Sequence, residues 1–436
     1  MRGPLGPDAL AELARNCKEC LTELQTPTLV YALAGSTPSL SSPSIRRVLP
    51  AFVTLLLWNV SWSVTITGPV LPLYIQSLGI GIEGWSVLAA TFAFGMFLIE
   101  WIWGSLNDRI NRKHLLISSL LCMSGLFVLY TRHGSFFFFL ILQLLSGAVG
   151  VAVGPTTRAS VSEASSSQSA GLFASLWWVF SSIGRIVGPL LGTYIAQNSS
   201  FEYSFYASSA LSILLVLVVM WSFPESRQLA ERSRSMISDL NSALHSQSAR
   251  YLFLAAIFAF MGWSIVVTFL PLYASGQVGL STVRVGTLIS TVAASQLVAI
   301  LLLGWLSDRF GRKPTAILGF LLCSGSFLLY LFADTATQVF VVSIAVGLGL
   351  SASLLLLSLV PDVTLQKRYG IVVGIYGSCE DFGIIMGPIV YGLVWTTIEP
   401  RYIFVAASMT QLLAAGLVFA IGHRLSGNYA MDTPKT

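Results

Sequence analysis

The sequence predicts an all-α polytopic membrane protein of twelve transmembrane helices in two pseudo-symmetric six-helix bundles, and three observations carry that prediction. The first is composition. Of 436 residues, 55% are hydrophobic and 10% charged, and the mean hydropathy is +0.77. Charge that sparse does not coat a water-soluble fold of this size. The second is run length. Apolar stretches such as Leu115–Tyr130 and 211–221 recur, and about 20 apolar residues in a helix cross a hydrocarbon core of about 30 Å. The third is internal repetition. LPLY stands at 71–74 and 270–273, GSLNDRINRK at 104–113 returns as GWLSDRFGRK at 304–313, and GRIVGPLLG at 184–192 returns as GIIMGPIVYG at 383–392. These matches fall at offsets of 199 or 200. Several independent matches at nearly one offset indicate a duplicated half.

Taken in order, residues 1–46 read as a flexible cytoplasmic N-terminal tail. They mix Pro, Ser and charges, their longest apolar run (LVYALAG) is too short to span, and Asp8, Glu12, Glu19 and Glu23 speak against a transit peptide. Spans are expected at 48–76, 85–106, 114–131, 135–157, 168–195, 203–223, 250–274, 283–306, 314–332, 336–360, 371–395 and 401–422. The longest polar interruption divides them six and six. The expected domains are therefore an N-terminal bundle (47–223), a cytoplasmic linker (224–249), a C-terminal bundle (250–422) and a cytoplasmic tail (423–436).

The net charge of +5 does not point to nucleic acid, because Lys and Arg in such a chain report which side each loop faces. With the N-terminus inside, outer loops hold Arg132, Arg284 and Arg401, and inner segments hold twenty Lys or Arg. That bias places both termini in the cytoplasm. Cys122, Cys323 and Cys379 fall in apolar helices, and the single C-x-x-C of Cys17 and Cys20 has no second pair to complete a zinc site. No metal or cofactor is expected. The lack of a G-x-x-x-x-G-K-[ST] loop speaks against ATP as the in-chain energy source, and no enzyme constellation is present.

The duplicated decapeptide spends charge where the chain is otherwise oily. Gly104 and Gly304 are expected to end a helix and permit close packing. Asp108 and Asp308 suit a neighbouring helix N-terminus. Arg109 and Arg309 follow them, and Arg112 and Arg312 are placed to pair with Glu163 and Asp362. Asn111 replaces Gly311, and Asn is expected to keep the left-handed turn. Gly184, Gly188 and Gly192, with Pro189, and Gly383 and Gly387, with Pro388, mark close helix packing and bends.

On these residues the chain resembles the major facilitator superfamily over 48–422, through the G-x-L-x-D-R-x-G-R-K pattern and the GP segments of spans five and eleven. It is most similar to the twelve-helix drug:proton antiporter branch. The resemblance implies the major facilitator fold, a cytoplasmic gate in which Asp108 locks against the start of span eleven, and glycine-rich helices that seal the pathway. It departs at Gln143, where that branch usually carries Arg.

Charges within spans are the sharpest functional markers, because each is costly in hydrocarbon unless paired, protonated or facing a wet cavity. Glu100, Arg185, Glu380 and Asp381 are these residues. A carboxyl group removed from water holds its proton closer to neutral pH, as proton coupling requires, so Asp381, Glu380 and Glu100 are the proton-coupling candidates. Position 384 is the repeat counterpart of Arg185 and lies three residues beyond Asp381. Asp381 is therefore expected to face a central cavity, and Glu380 the glycine face. Arg185, Asn59, Trp62, Gln143, Trp263 and Thr268 are the substrate-cavity candidates, with Trp177 and Trp178 beside them.

The expectation is a secondary transporter working by alternating access, exporting small organic molecules against protons. It is expected to act as a monomer in the plasma membrane, with the lipid bilayer as its medium and no nucleic-acid partner. A proton-independent facilitator or an organic-anion symporter, and a non-transporting sensor or scaffold on the same fold, remain open alternatives.

Overall fold

The computed structural model describes residues 43–132, 134–164, 170–223, 246–364 and 369–422. The side chains of Gly104, Asp108 and Arg109, the Cys17–Cys20 pair, and the boundaries expected at 46–47 and within 224–245 lie outside what is described. Of residues 1–49, only Pro43–Leu49, which begin the first helix, are described, and Pro50–Thr436 forms one compact unit.

In the first half the crossings are α1 (Pro43–Thr65) with α2 (Val70–Ser77), α3 (Ile82–Arg109), α4 (Arg112–Tyr130), α5 (Phe136–Gly150) with α6 (Val153–Ala164), α7 (Ala170–Asn198) and α8 (Phe201–Ser222). The second half repeats them. Its crossings are α9 (Gln247–Thr268) with α10 (Leu270–Gly276), α11 (Thr282–Phe310), α12 (Arg312–Leu329), α13 (Ala336–Leu350) with α14 (Ala352–Leu356) and α15 (Val360–Val363), α16 (Tyr369–Thr397) and α17 (Ile403–Ala420). Eleven segments are long and apolar enough to cross a membrane among the described residues. The remaining crossing, α16, runs 29 residues, and its adjacent Glu380 and Asp381 dilute its apolar character.

The duplication is physical as well as textual. Crossings one and seven both break just before the repeated LPLY segment, each beside a proline, which lacks the N–H that continues a helix. The two prolines are not repeat counterparts, since Pro69 matches Thr268 and Pro271 matches Pro72. Pro69 returns no bond to Thr65, where α1 ends, and Pro271 none to Val267, beside the end of α9. Ser135 caps α5 by accepting from the Phe138 N–H, and its counterpart Thr335 caps α13 in a reciprocal box with Gln338. Each half stacks a buried tyrosine on a buried phenylalanine, Tyr130 on Phe205 at 5.3 Å and Tyr330 on Phe404 at 4.2 Å between centroids. Large apolar side chains such as Phe137, Leu217, Leu301 and Met409 face outward, where lipid is the solvent.

The glycine seams show why Gly occupies those positions. A Cβ on Gly184, Gly188 or Gly192 would run into Asn59, Ser63 or Val64 of α1, and a Cβ on Gly383 or Gly387 into Ile257 or Ser264 of α9. Helices α7 and α16 therefore lie directly against the first helix of their own half. Each continues unbroken through its proline, Pro189 or Pro388.

Three expectations about the decapeptide are corrected. It is almost wholly helical: α3 continues to Arg109, α11 to Phe310, and α4 and α12 begin at Arg112 and Arg312. Neither Gly104 nor Gly304 ends its helix, and a Cβ on Gly304 would meet nothing within 4 Å. The turn itself differs between copies. Gly311 takes φ +91°, whereas Asn111 takes φ −58° and accepts from the Lys113 N–H at 3.0 Å. Asparagine reaches the next helix by capping it rather than by the left-handed turn that only glycine adopts without strain.

Candidate functional site

A cavity of about 700 Å³ lies between the halves. Along α3 it is lined by Trp85, Ala89, Phe92, Met96 and Glu100, whose three- and four-residue steps mark one helix face. At the end remote from the decapeptides the halves are fastened together. Trp85 Nε1 donates to the Thr268 carbonyl at 2.9 Å, Ser290 Oγ to the Ile186 carbonyl at 2.7 Å, and the Val283 N–H to Gln197 Oε1 at 2.9 Å. Gly286 packs on Thr193, and Gly392 on Ser86. These two contacts are related by the repeat, with glycine and hydroxyl residue exchanged. Toward the decapeptide end the lining continues to Arg158 and Ser162 of α6.

The expected cavity residues Asn59, Trp62, Gln143, Arg185, Trp263 and Thr268 all line it, as do Trp177 and Trp178. Asn59 is held by its Nδ2 donating to the Leu55 carbonyl at 2.8 Å and its Oδ1 accepting from Ser181 Oγ at 3.2 Å. Trp62 lies between Trp58 (4.8 Å) and Phe92 (5.6 Å). Gln143 is 2% exposed and accepts from the Tyr130 hydroxyl at 3.0 Å. Its counterpart Ser343 shares a hydrogen bond of 2.6 Å with the Tyr330 hydroxyl, so Gln143 serves the aromatic core as well as the wall.

The two adjacent acids of α16 divide their directions contrary to expectation. Glu380 lines the cavity with Ile384 and Pro388, whereas Asp381 does not reach it. A four-residue step advances a helix by only about 40° past a full turn, and a three-residue step falls about 60° short. Position 384 therefore shares its face more closely with Glu380 than with Asp381. Asp381 is instead 6% exposed, its Oδ2 without a donor among the described residues, and it interacts electrostatically with Glu100 across the α3–α16 contact between halves.

Glu380 lies in the field of Arg158 and within hydrogen-bonding reach of Tyr376. The Arg158 guanidinium sits 4.6 Å from the Trp177 ring centroid and 5.8 Å from that of Trp178, a cation–π arrangement. Arg185 donates from Nη2 to Ser182 Oγ at 3.3 Å, and its Nε has no acceptor among the described residues.

At the decapeptide end the two copies differ. Arg112 is buried and grips Glu163 through both terminal guanidinium nitrogens, Nη1 donating to Oε2 and Nη2 to Oε1 at 2.6 Å. Arg312 reaches Asp362 at only 3.7 Å, both side chains being about half exposed, and donates to the Ser358 carbonyl at 2.9 Å. Asp308 is exposed and Arg309 lies beside Trp305 and Phe310.

Sequence reasoning missed Arg158, Trp58, Trp85 and Gln296 as lining residues. Arg158 falls one residue beyond the expected end of span four, because α6 carries that crossing on to Ala164. Trp58 lies one turn before Trp62 on the same helix, a spacing that the sequence displays.

The Major Facilitator Superfamily model matches residues 53–282 and 252–428. The chain is 25% identical over 363 residues to the multidrug resistance protein MdtG of Enterobacter lignolyticus, covering 80% of this chain and 85% of that one. It is 24% identical over 361 residues to the multi-drug resistance efflux pump PmrA homolog of Lactococcus lactis, covering 80% and 88%. Among solved structures, the inward-facing, unoccupied bacterial homolog of the human lysosomal transporter Spinster superposes with a TM-score of 0.72 at 15% identity, covering 87% of this chain and 97% of that one. The nucleoside transporter NupG gives 0.68 at 15% identity, covering 87% and 99%. Both are likenesses of fold.

Proposed function

This chain belongs to the Major Facilitator Superfamily, and we propose that it is a proton-coupled exporter of small organic molecules. It is a multi-pass membrane transporter; coupling and direction are the proposal. The observation that carries it is the electrostatic interaction of Glu100 with Asp381 where α3 of one half meets α16 of the other. A proton held between two carboxyl groups joins the halves, and its loss leaves two negative charges facing each other at low dielectric, which repel strongly. Proton occupancy thereby acts on the interface that alternating access must open and close. Glu380, on the cavity wall one residue away, links the same helix to the cargo.

Several features support export. Relatives named for multidrug resistance and efflux match most of the chain. The cavity walls are rich in tryptophan with few polar anchors, which suits varied organic molecules. The Arg112–Glu163 and Arg312–Asp362 pairs would act as gate charges on the cytoplasmic side, where both termini lie, in a monomer of the plasma membrane. A proton-independent facilitator is the second reading, favoured by Gln143 standing where the antiporter branch carries Arg.

Reconstitution in liposomes containing a pH-sensitive dye tests the proposal. Adding transported compounds from a panel of aromatic drugs should move protons opposite to the compound, and an imposed pH gradient should accumulate it. Transport of equal rate and extent with and without the gradient overturns proton coupling.

A further inference from the structure

We propose that Arg185 binds an acidic group on the cargo, so that the cavity takes organic monoanions with an apolar or aromatic body. The inference rests on the transporter reading above and names its substrate class.

Four ionisable side chains line the cavity: Glu100, Arg158, Arg185 and Glu380. Three of them are engaged with other charged or carboxyl groups. Glu380 lies in the field of Arg158, and Glu100 interacts electrostatically with Asp381. Arg185 stands apart on α7. No carboxylate among the described residues comes within ion-pairing distance of it. Its one hydrogen bond to a described residue goes to the neutral Ser182, and its Nε has no acceptor among them. A guanidinium keeps its charge at any physiological pH and offers five donors in a planar fork that matches a carboxylate or sulfonate. At membrane depth a cation without a counter-ion is costly, so an anion from outside the chain completes the site.

Packing does not explain the arginine. Its repeat counterpart is Ile384, which occupies the equivalent place on α16 and also lines the cavity. An uncharged side chain therefore serves that position of the helix, and the charge in the first half answers to something else. Trp58, Trp62, Phe92 and Trp263 supply an apolar wall for the rest of the molecule. A volume of about 700 Å³ falls in the range of pockets that hold one drug-sized ligand. A cationic cargo fits less well, since the wall carboxylates already face Arg158 and Asp381.

The test uses the full chain in lipid nanodiscs, titrated calorimetrically with 2-naphthoate, 2-naphthamide and 2-naphthylmethylammonium, which share one ring system and differ in charge. Naphthoate should bind at least tenfold tighter than the amide, and the ammonium weakest. Arg185→Gln should lower naphthoate affinity tenfold or more and amide affinity by much less, with an unchanged circular-dichroism spectrum reporting that the variant is folded. Arg185→Lys should keep most of the preference for the anion. Tighter binding of the ammonium than of naphthoate by the unaltered protein overturns the proposal whether or not any variant folds. So does naphthoate binding indifferent to Arg185→Gln. Liposome uptake separates the two readings. Naphthoate bound through Arg185 but moved at the same rate and extent with and without a pH gradient would sink the proton-coupled reading and leave the site, whereas preferential movement of the ammonium would sink the site and leave transport.

Discussion

The two halves are built on one plan and differ in where they place charge. Both carry the broken first helix, the capped fourth crossing, the tyrosine–phenylalanine stack and the glycine seam, at positions about 200 residues apart. The first half has Ser181, Ser182 and Arg185 where the second has Glu380, Asp381 and Ile384. Packing positions and the decapeptide charges have been kept in both copies, and the charges within the spans have not. A shared seam needs small residues on both sides, but a coupling site or an anchor for cargo is needed once.

The clearest way to break that comparison is at the two arginine pairs. Arg112 is buried and bidentate, so Arg112→Leu should remove two charge-assisted hydrogen bonds to Glu163 and destabilise the protein by about 3 kcal/mol. Arg312→Leu, at an exposed pair 3.7 Å apart, should cost about 0.5 kcal/mol or less. Equal losses in denaturant-unfolding midpoints would contradict the asymmetry.

The seams should behave alike instead. Gly184→Ala presses a methyl group onto Asn59 and the backbone of Leu56 and Val60, and Gly383→Ala does the same at the backbone of Ile257 and Met261 in α9. Each should cost about 2 kcal/mol, in the range for overpacking. A twofold or larger difference between them would show that the seams are not equivalent.

A smaller effect sharpens the picture at the fastened end. Trp85→Phe keeps an aromatic ring, smaller than the indole, and removes the N–H that reaches the Thr268 carbonyl. One lost hydrogen bond is worth about 1 kcal/mol, which shifts the balance toward states open at that end roughly fivefold. Thiol-reagent labelling of a cysteine introduced at Gln277 should speed up accordingly, and an unchanged rate would remove this contact from the closure.

Much of this was legible in the sequence. The repeat and the glycine seams follow from residue types whose backbone consequences are local, whereas the breaks beside Pro69 and Pro271 fall inside the spans expected as continuous over 48–76 and 250–274. What depended on rotation about a helix was read less well. Asp381 and Glu380 differ by one position, and facing was assigned to the wrong one because the three-residue step was weighed above the four-residue step. Asn111 was expected to copy Gly311, but a side chain able to cap a helix favours a different turn. Arg158 was assigned to an inner loop because composition does not mark where a helix stops once it leaves the apolar run. The interaction between Glu100 and Asp381 joins residues 281 apart in the chain, and no local pattern carries such a pairing.

The most direct measurement of the central claim is gradient-driven transport by Asp381→Asn in liposomes, compared with exchange of the same compound at equal pH on both sides. The account predicts that accumulation driven by the pH gradient is lost while exchange continues, because the neutral amide keeps the shape of the α3–α16 contact and cannot cycle a proton. Accumulation that survives the substitution undiminished would contradict it.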